Sequence, residues 1–184
     1  MGGFFYEKNI TIYIALTFIV GCNNLMNTPT KKTEEFLNKY QKLDSKVLDQ
    51  LDGTLDTSYD LNESQKEKYK DAMKRQYKDL VYTIKEETVD GDTATVKVEI
   101  EVYDYRKVLD DADSYFKAHP DKFQKSDGSV DNEKFMDYKI GKLKSGKDRV
   151  KYTLNLTLTK KDDVWTMNDI TETDRKKIHG IYSY

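Results

Sequence analysis

LVYTIKEETVDGDTATVKVEIEVY, residues 80–103, is the stretch that decides the fold, because along it the spacing of the apolar residues changes from about 3.6 to 2. The apolar positions of its second half are Ala94, Val96, Val98, Ile100 and Val102. Alternation with polar residues is typical of a strand with one buried and one solvated face. Asp90-Gly91-Asp92 between the halves is a hairpin turn signal, so the stretch predicts two antiparallel strands.

A second stretch has the same two-residue period. Its apolar positions are Val150, Tyr152, Leu154, Leu156 and Leu158. The loop Lys160–Asp163 then returns the chain into Val164–Ile170, which holds the single tryptophan, Trp165. These residues predict a second hairpin and bring the expected sheet to about four strands.

The segment before the first hairpin has helical spacing. Thr33 is a suitable N-cap for a first helix, which we expect to end at Gly53. Its apolar stripe comprises Phe36, Leu37, Tyr40, Leu43, Val47, Leu48 and Leu51. A second helix should follow Asn62, because Gln65 stands three residues later in a capping-box position.

Two more helices are predicted between the hairpins. Asp104 can cap the first of them, which must stop near His119 because Pro120 cannot extend it. The second should begin at Asn132 and carry Phe135, Met136, Lys139, Ile140 and Leu143 on one side. A short final helix is expected from about Thr173 to His179.

This order of elements predicts an α+β fold, in which an antiparallel sheet of two hairpins packs one face against helices. The arrangement resembles the cone-shaped, cystatin-like domain of the nuclear-transport-factor-2-like (NTF2-like) superfamily. That resemblance covers roughly residues 33–171 and treats 105–145 as an insertion. It implies a curved sheet wrapped around a long N-terminal helix pair.

The N-terminus has the layout of a secretory signal peptide. An apolar run, Ile10–Val20, follows Lys8 and precedes the small residue Gly21. The run is well short of the roughly 20 apolar residues needed to span a bilayer as a helix. Ile19-Val20-Gly21-Cys22 resembles the lipobox of bacterial lipoproteins. The resemblance implies that the Cys22 thiol receives a diacylglyceryl group and that cleavage makes this cysteine the new N-terminus.

Three regions are therefore expected. Residues 1–21 form a signal peptide, 22–32 form the lipidated cysteine and a flexible tether containing Pro29, and 33–184 form a single α+β domain. Two acyl chains, at about 0.8 kcal/mol per buried CH₂, would anchor the chain stably. The predicted location is extracytoplasmic, with the protein held on the bacterial cell membrane by its lipid.

Composition argues against a nucleic-acid-binding role and against a disulfide or a cysteine-bound zinc site. Because 31 basic and 33 acidic side chains are interspersed along the chain, there is no basic field for a nucleic-acid partner. Cys22 is the single cysteine, so once it is acylated no disulfide or thiolate zinc site can form.

The chain shows no constellation of catalytic residues, and we expect no enzyme and no cofactor. His119 and His179 both fall at predicted helix ends, where a solvated cap is the ordinary role. Asp127–Glu133 alternates oxygen side chains as a calcium loop does, but it lacks the glycine and glutamate of such a loop and is interpreted as a polar turn, not a metal site. Asp110, Asp111 and Asp113 are interpreted as a solvated charged face.

Two tyrosines leave two interpretations open. Tyr103 lies on the wet face of its strand and Tyr105 follows two residues later, so their rings could stack on sugars or hold a peptide. Tyrosines also commonly border a core with the hydroxyl in water, and this interpretation is preferred.

Three functions remain. The first is a membrane-anchored, non-catalytic binding or accessory domain of the cell envelope, with an envelope protein or a cell-wall ligand as partner. The second is a cone-fold small-ligand carrier or enzyme with a pocket between sheet and helices. The third is a secreted eukaryotic protein glycosylated at the sequons of Asn62 and Asn155.

Overall fold

The computed structural model describes residues 27–58 and 61–183. In chain order the elements of these residues are α1 (Pro29–Gln41), α2 (Ser45–Ser58), α3 (Glu63–Lys78), β1 (Val81–Asp90), β2 (Thr93–Tyr103), α4 (Tyr105–Ala118), a 3-10 helix (Pro120–Phe123), α5 (Asn132–Ser145), β3 (Arg149–Lys161), β4 (Val164–Met167) and α6 (Glu172–Ile178). None of the helices in this part of the chain has the length and apolarity that a membrane crossing requires.

The four strands form one antiparallel sheet in the order β1-β2-β3-β4. Both predicted hairpins are present, and β2 also pairs with β3 from Thr93↔Thr159 to Tyr103↔Arg149. The buried residues of these two central strands are Ala94, Val96, Val98, Ile100, Val102, Tyr152, Leu154, Leu156 and Leu158. Their intervening neighbours face outward, so the predicted α+β class with a one-sided antiparallel sheet is confirmed.

The sheet is open, with β1 and β4 at its edges. A bulge between Ile84 and Glu86 interrupts the pairing of β1, whose second half is exposed on both sides. Helix α1 covers the inner face and contacts three of the strands. These features do not establish the cone-shaped, cystatin-like architecture, which stays a prediction.

The N-terminal helices differ from the expected single helix between Thr33 and Gly53. Helix α1 begins at Pro29, inside the predicted tether of residues 22–32, because the Thr28 side chain accepts a hydrogen bond from the Lys31 backbone and proline is well suited to the first turn. Gly53 does not end a helix but lies within α2.

Helix α1 ends at Gln41 because Leu43 adopts the left-handed conformation, with φ of +53°. The Asp44 N–H then donates to the Lys39 carbonyl and the Leu43 N–H donates to the Tyr40 carbonyl, the two bonds of a Schellman motif. This position usually holds glycine, and because it is a leucine here, the sequence does not indicate that the helix ends.

The starts of α3, α4 and α5 match the positions predicted from the sequence. Asn62 and Gln65 form both bonds of the capping box at α3. Asp104 accepts from the Lys107 backbone at the start of α4, which ends at His119 as expected. Asp131 caps α5, which begins at Asn132.

The attachment point of Asn27 and the insertion formed by α4 and α5 lie at opposite ends of the sheet. Asn27 binds the β3–β4 turn, since its Oδ1 accepts from the Trp165 N–H at 3.0 Å and its Nδ2 donates to the Asp163 carbonyl at 2.6 Å. Helices α4 and α5 form an insertion that leaves the sheet at Tyr103 and rejoins it at Arg149. At about 3.3 Å per residue, the length of β2 separates these two ends by on the order of 35 Å.

Candidate functional site

Cys22, the predicted lipidation site, lies outside the described residues, as does the whole predicted signal peptide. The anchor therefore stays a prediction. The structure describes the chain from Asn27 onward, five residues after Cys22, where it is bound to the β3–β4 turn.

Tyr103 and Tyr105 lie side by side where β2 ends and α4 begins, with ring centroids 6.2 Å apart. The guanidinium groups of Arg75 and Arg149 lie 3.7 and 4.9 Å from the centroid of the Tyr103 ring, and the Tyr103 hydroxyl donates to Asp79 at 2.7 Å. Tyr105 is fully buried, its hydroxyl donates to the backbone of α3, and burial raises its pKa to about 12. These contacts fit the core-border interpretation better than an open stacking surface.

Sequence reasoning missed a buried glutamine that joins three elements at this same end of the sheet. The Gln76 side chain of α3 accepts from the Tyr103 N–H at 2.8 Å and donates to the Tyr103 and His179 carbonyls, each at 2.9 Å. Gly180 follows with φ of +71° and approaches Tyr103 and Gln76 too closely for any Cβ. A glutamine within a helical stripe carries no signal that would reveal this role.

His179 caps α6 as predicted, but the expected solvated role is wrong. Its Nε2 lies 2.9 Å from the Tyr77 hydroxyl, and the Gly180 turn carries the chain back against α3. Burial, with a smaller contribution from the positive charge of Arg175, lowers the pKa of His179 to about 4. Burial also raises the pKa of Tyr77. At neutral pH this pair is an uncharged, partly buried hydrogen bond.

The other histidine belongs to an aromatic cluster built around the insertion. The His119 ring stacks on Tyr115 at 4.3 Å, and Tyr115 in turn stacks on Tyr138 at 5.2 Å. Phe123 is buried among the remaining rings of this cluster, Phe116 and Phe135. The Tyr115 ring therefore packs against two other rings of the cluster.

The two acidic motifs are satisfied within the protein. The Asp127 carboxylate accepts from the backbone and hydroxyl of Ser129, which lowers its pKa, and Gly128 completes the turn with φ of +83°. The carboxylates of α4 pair with nearby bases: Asp110 with Arg106, Asp111 with Lys107, and Asp113 with Lys139. Within residues 27–58 and 61–183, no group of three or more potential metal ligands is placed to hold an ion.

A small cavity lies among α1, α2, α3 and α6. The cavity lined by Tyr40, Tyr77, Arg175 and His179 has a volume of about 10 Å³, which is room for one water molecule. No strand residue lines this cavity, so the pocket between sheet and helices stays a hypothesis.

Cavities instead flank α5. Grooves of about 310 and 510 Å³ lie along its two sides, one against α4 and one against the start of α3. A third, more enclosed pocket of about 160 Å³ lies between α3, α4 and α5. It is lined by Leu61, Tyr69, Leu109, Met136, Lys139, Ile140, Leu143 and Ile181. We refer to this third cavity as the α5 pocket.

The α5 pocket is apolar except at its edge. Six of its lining side chains are aliphatic, and the ammonium group of Lys139 forms an ion pair with Asp113 at 2.6 Å. Three predicted helices supply most of these residues, but an apolar stripe does not reveal where packing leaves a gap.

Comparisons with known proteins give little further information. No family model matches the chain, and no curated protein matches it. The chain is similar to a solved structure, a provisionally assigned lipoprotein (ycdA) from Bacillus subtilis, at 11% identity and a TM-score of 0.46. The match covers 86% of this chain and 51% of that protein, so the chain spans about half of its length. This likeness does not establish a shared fold, and the function is inferred from the residues of this chain alone.

Proposed function

We propose that this protein is a lipid-anchored, non-catalytic binding domain of the bacterial cell envelope, held on the membrane through Cys22. The observation that carries the proposal is the attachment of Asn27 to the β3–β4 turn. Five residues span at most about 18 Å, so an acylated Cys22 would hold this end of the sheet close to the bilayer.

The position of the insertion supports a binding role directed away from the membrane. Helices α4 and α5 leave the sheet at the end opposite Asn27, and the three cavities described above all lie along α5. A partner, either an envelope protein or a cell-wall ligand, would meet this end of the domain first.

The bonding of the histidines supports the absence of catalysis. His179 is held neutral against Tyr77, and the Nδ1 of His119 lies 3.1 Å from the Tyr115 carbonyl. A general base needs a pKa near the working pH, and the pKa of His179, lowered to about 4, lies well below neutral.

The secreted eukaryotic alternative has less support. The side-chain nitrogen of Asn62, the atom that glycosylation would modify, donates to the Glu133 carboxylate at 2.8 Å and helps to join α3 to α5. Asn155 lies in the middle of β3, where the backbone is paired with β2.

The anchor is tested by replacing the acylated residue in cells. Cys22→Ala should move the protein from the membrane fraction to the soluble fraction and abolish incorporation of labelled palmitate. Asn24→Ala, two residues along the chain, is the matched control and should change neither result. A Cys22→Ala protein that stays in the membrane and keeps its label would contradict the proposal.

A further inference from the structure

The α5 pocket combines three properties that select a particular kind of ligand. Its walls come from α3, α4 and α5 together with Leu61 before α3 and Ile181 after α6, and they are aliphatic apart from Tyr69 and Lys139. Its volume of about 160 Å³ is close to that of an apolar cavity of roughly 150 Å³ known to accept benzene. The space therefore fits a single ring or a branched alkyl group of similar size.

The charge at the edge of the pocket is balanced. The ammonium group of Lys139 lies 2.6 Å from the Asp113 carboxylate and 4.6 Å from the centroid of the Phe135 ring. A charged ligand would therefore lose hydration without gaining an unpaired partner of opposite charge. This pairing favours an uncharged group.

Two wall residues allow such a ligand to enter. Met136 and Leu109 are only partly buried, although both pack against the hydrophobic core. Methionine is unbranched and flexible, so Met136 can change rotamer around a ligand at little cost.

We propose that the α5 pocket binds an uncharged apolar small molecule, or an apolar group of one, with the size of a benzene ring carrying one or two methyl groups. This inference deepens the proposed binding function and rests on it, but it does not depend on acylation of Cys22. Toluene is a suitable probe because it has the required size and no charge.

The test is a methionine-methyl NMR titration of the full anchored chain in lipid nanodiscs. Met136 lines the pocket, whereas Met73 is fully buried in the main core and serves as an internal control. Toluene should shift the Met136 methyl signal in a saturable way and leave the Met73 signal unchanged.

A blocking variant distinguishes the pocket from partitioning into lipid. Leu109→Trp should weaken the apparent affinity for toluene at least tenfold, because the larger ring occupies the cavity. Val81→Trp, at a position that is 55% exposed on β1, is the matched control and should bind as the wild type does. Ile181→Trp provides a second blocking variant if Leu109→Trp lowers the melting temperature.

Three results would overturn the proposal. They are an unmoved Met136 signal up to the solubility limit of toluene, equal binding by both blocking variants, and a preference for benzoate over toluene. Met136 reports the pocket whether or not Cys22 is acylated, and without the anchor the same titration can be run in solution. A failed anchor and an empty pocket are therefore separate outcomes.

Discussion

At the scale of single residues, Gly180 has the strictest requirement. Its φ of +71° is unfavourable for other residues, and an added Cβ would collide with the Tyr103 carbonyl and the Gln76 side chain. Gly180→Ala should lower the free energy of unfolding by about 3 kcal/mol or more, as measured by urea denaturation. The control is Gly53→Ala in α2, where a Cβ meets nothing within 4 Å and should stabilise the helix by about 0.5–1 kcal/mol. Equal effects of the two variants would contradict this account.

Gln76 provides a second prediction at this scale. Gln76→Leu keeps much of the volume but leaves the Tyr103 N–H, the Tyr103 carbonyl and the His179 carbonyl without this partner. Unsatisfied buried polar groups cost about 1–3 kcal/mol each, so the expected loss of stability is about 2–5 kcal/mol. Gln50→Leu, at an exposed position of α2, should stay within about 0.5 kcal/mol of the wild type. A similar loss in both variants would show that the bonds of Gln76 are not the cause.

His179 should make stability depend on pH. Its pKa is lowered from 6.5 to about 4 in the folded protein, so the unfolded chain binds more protons between these values. The contribution of His179 to the free energy of unfolding is complete above about pH 6.5 and declines as the pH falls toward 4. The free energy of unfolding changes by at most about 1.4 kcal/mol per pH unit through this one group. The measurement is the free energy of unfolding from pH 7.5 to 4.5 for the wild type and for His179→Gln.

The difference between those two curves isolates His179 from the carboxylates that titrate in the same range. The wild type should lose its advantage in free energy of unfolding over His179→Gln as the pH falls, because only the wild type carries the titrating His179. A constant difference between the wild type and His179→Gln would rule out the proposed titration.

At the scale of elements, Arg75 ties the end of α5 to α3. Its guanidinium donates to the Lys144 carbonyl at 3.0 Å and the Gly146 carbonyl at 2.8 Å, and it lies over the Tyr103 ring. Lysine keeps the charge but cannot reproduce this planar fork, so Arg75→Lys should cost about 1–3 kcal/mol. Hydrogen exchange should increase mainly in the last turn of α5. Arg106→Lys, in an exposed pair on α4, is the control and should have little effect on either measurement.

The sequence predicts an element well when its boundary depends on its own residues. Helices α3, α4 and α5 start where Asn62, Asp104 and Asp131 cap them, because these side chains bond to the backbone two or three residues later. The break after α1 was not predictable in this way, since Leu43 adopts a conformation normally marked by glycine. Tertiary packing holds Leu43 there against its local preference, because the side chain packs on the core.

At the scale of the whole molecule, the one-sided sheet follows from the alternation in β2 and β3, whereas the sites do not follow from any local pattern. The Gln76 bonds and the α5 pocket bring together residues far apart in the chain, such as Leu61 and Ile181. Periodicity identifies which apolar side chains share one face of a helix, but it does not show whether neighbouring helices fill the space between them. The predicted histidine roles were incomplete for the same reason, because enclosure by α3 sets the state of His179.

The anchored molecule should also have a defined orientation. Lys147 and Lys161 are exposed residues near the two ends of β3, which are separated by on the order of 40 Å at about 3.3 Å per residue. Cys22 and Asn27 place the Lys161 end within about 18 Å of the anchor. A fluorophore attached through Lys161→Cys should therefore be quenched by acceptor-labelled lipid headgroups much more strongly than one attached through Lys147→Cys. Both variants remove one exposed lysine, so a difference in quenching between them cannot come from the change in net charge. Equal quenching would mean that the sheet lies flat on the membrane, and then the insertion would not be presented away from it.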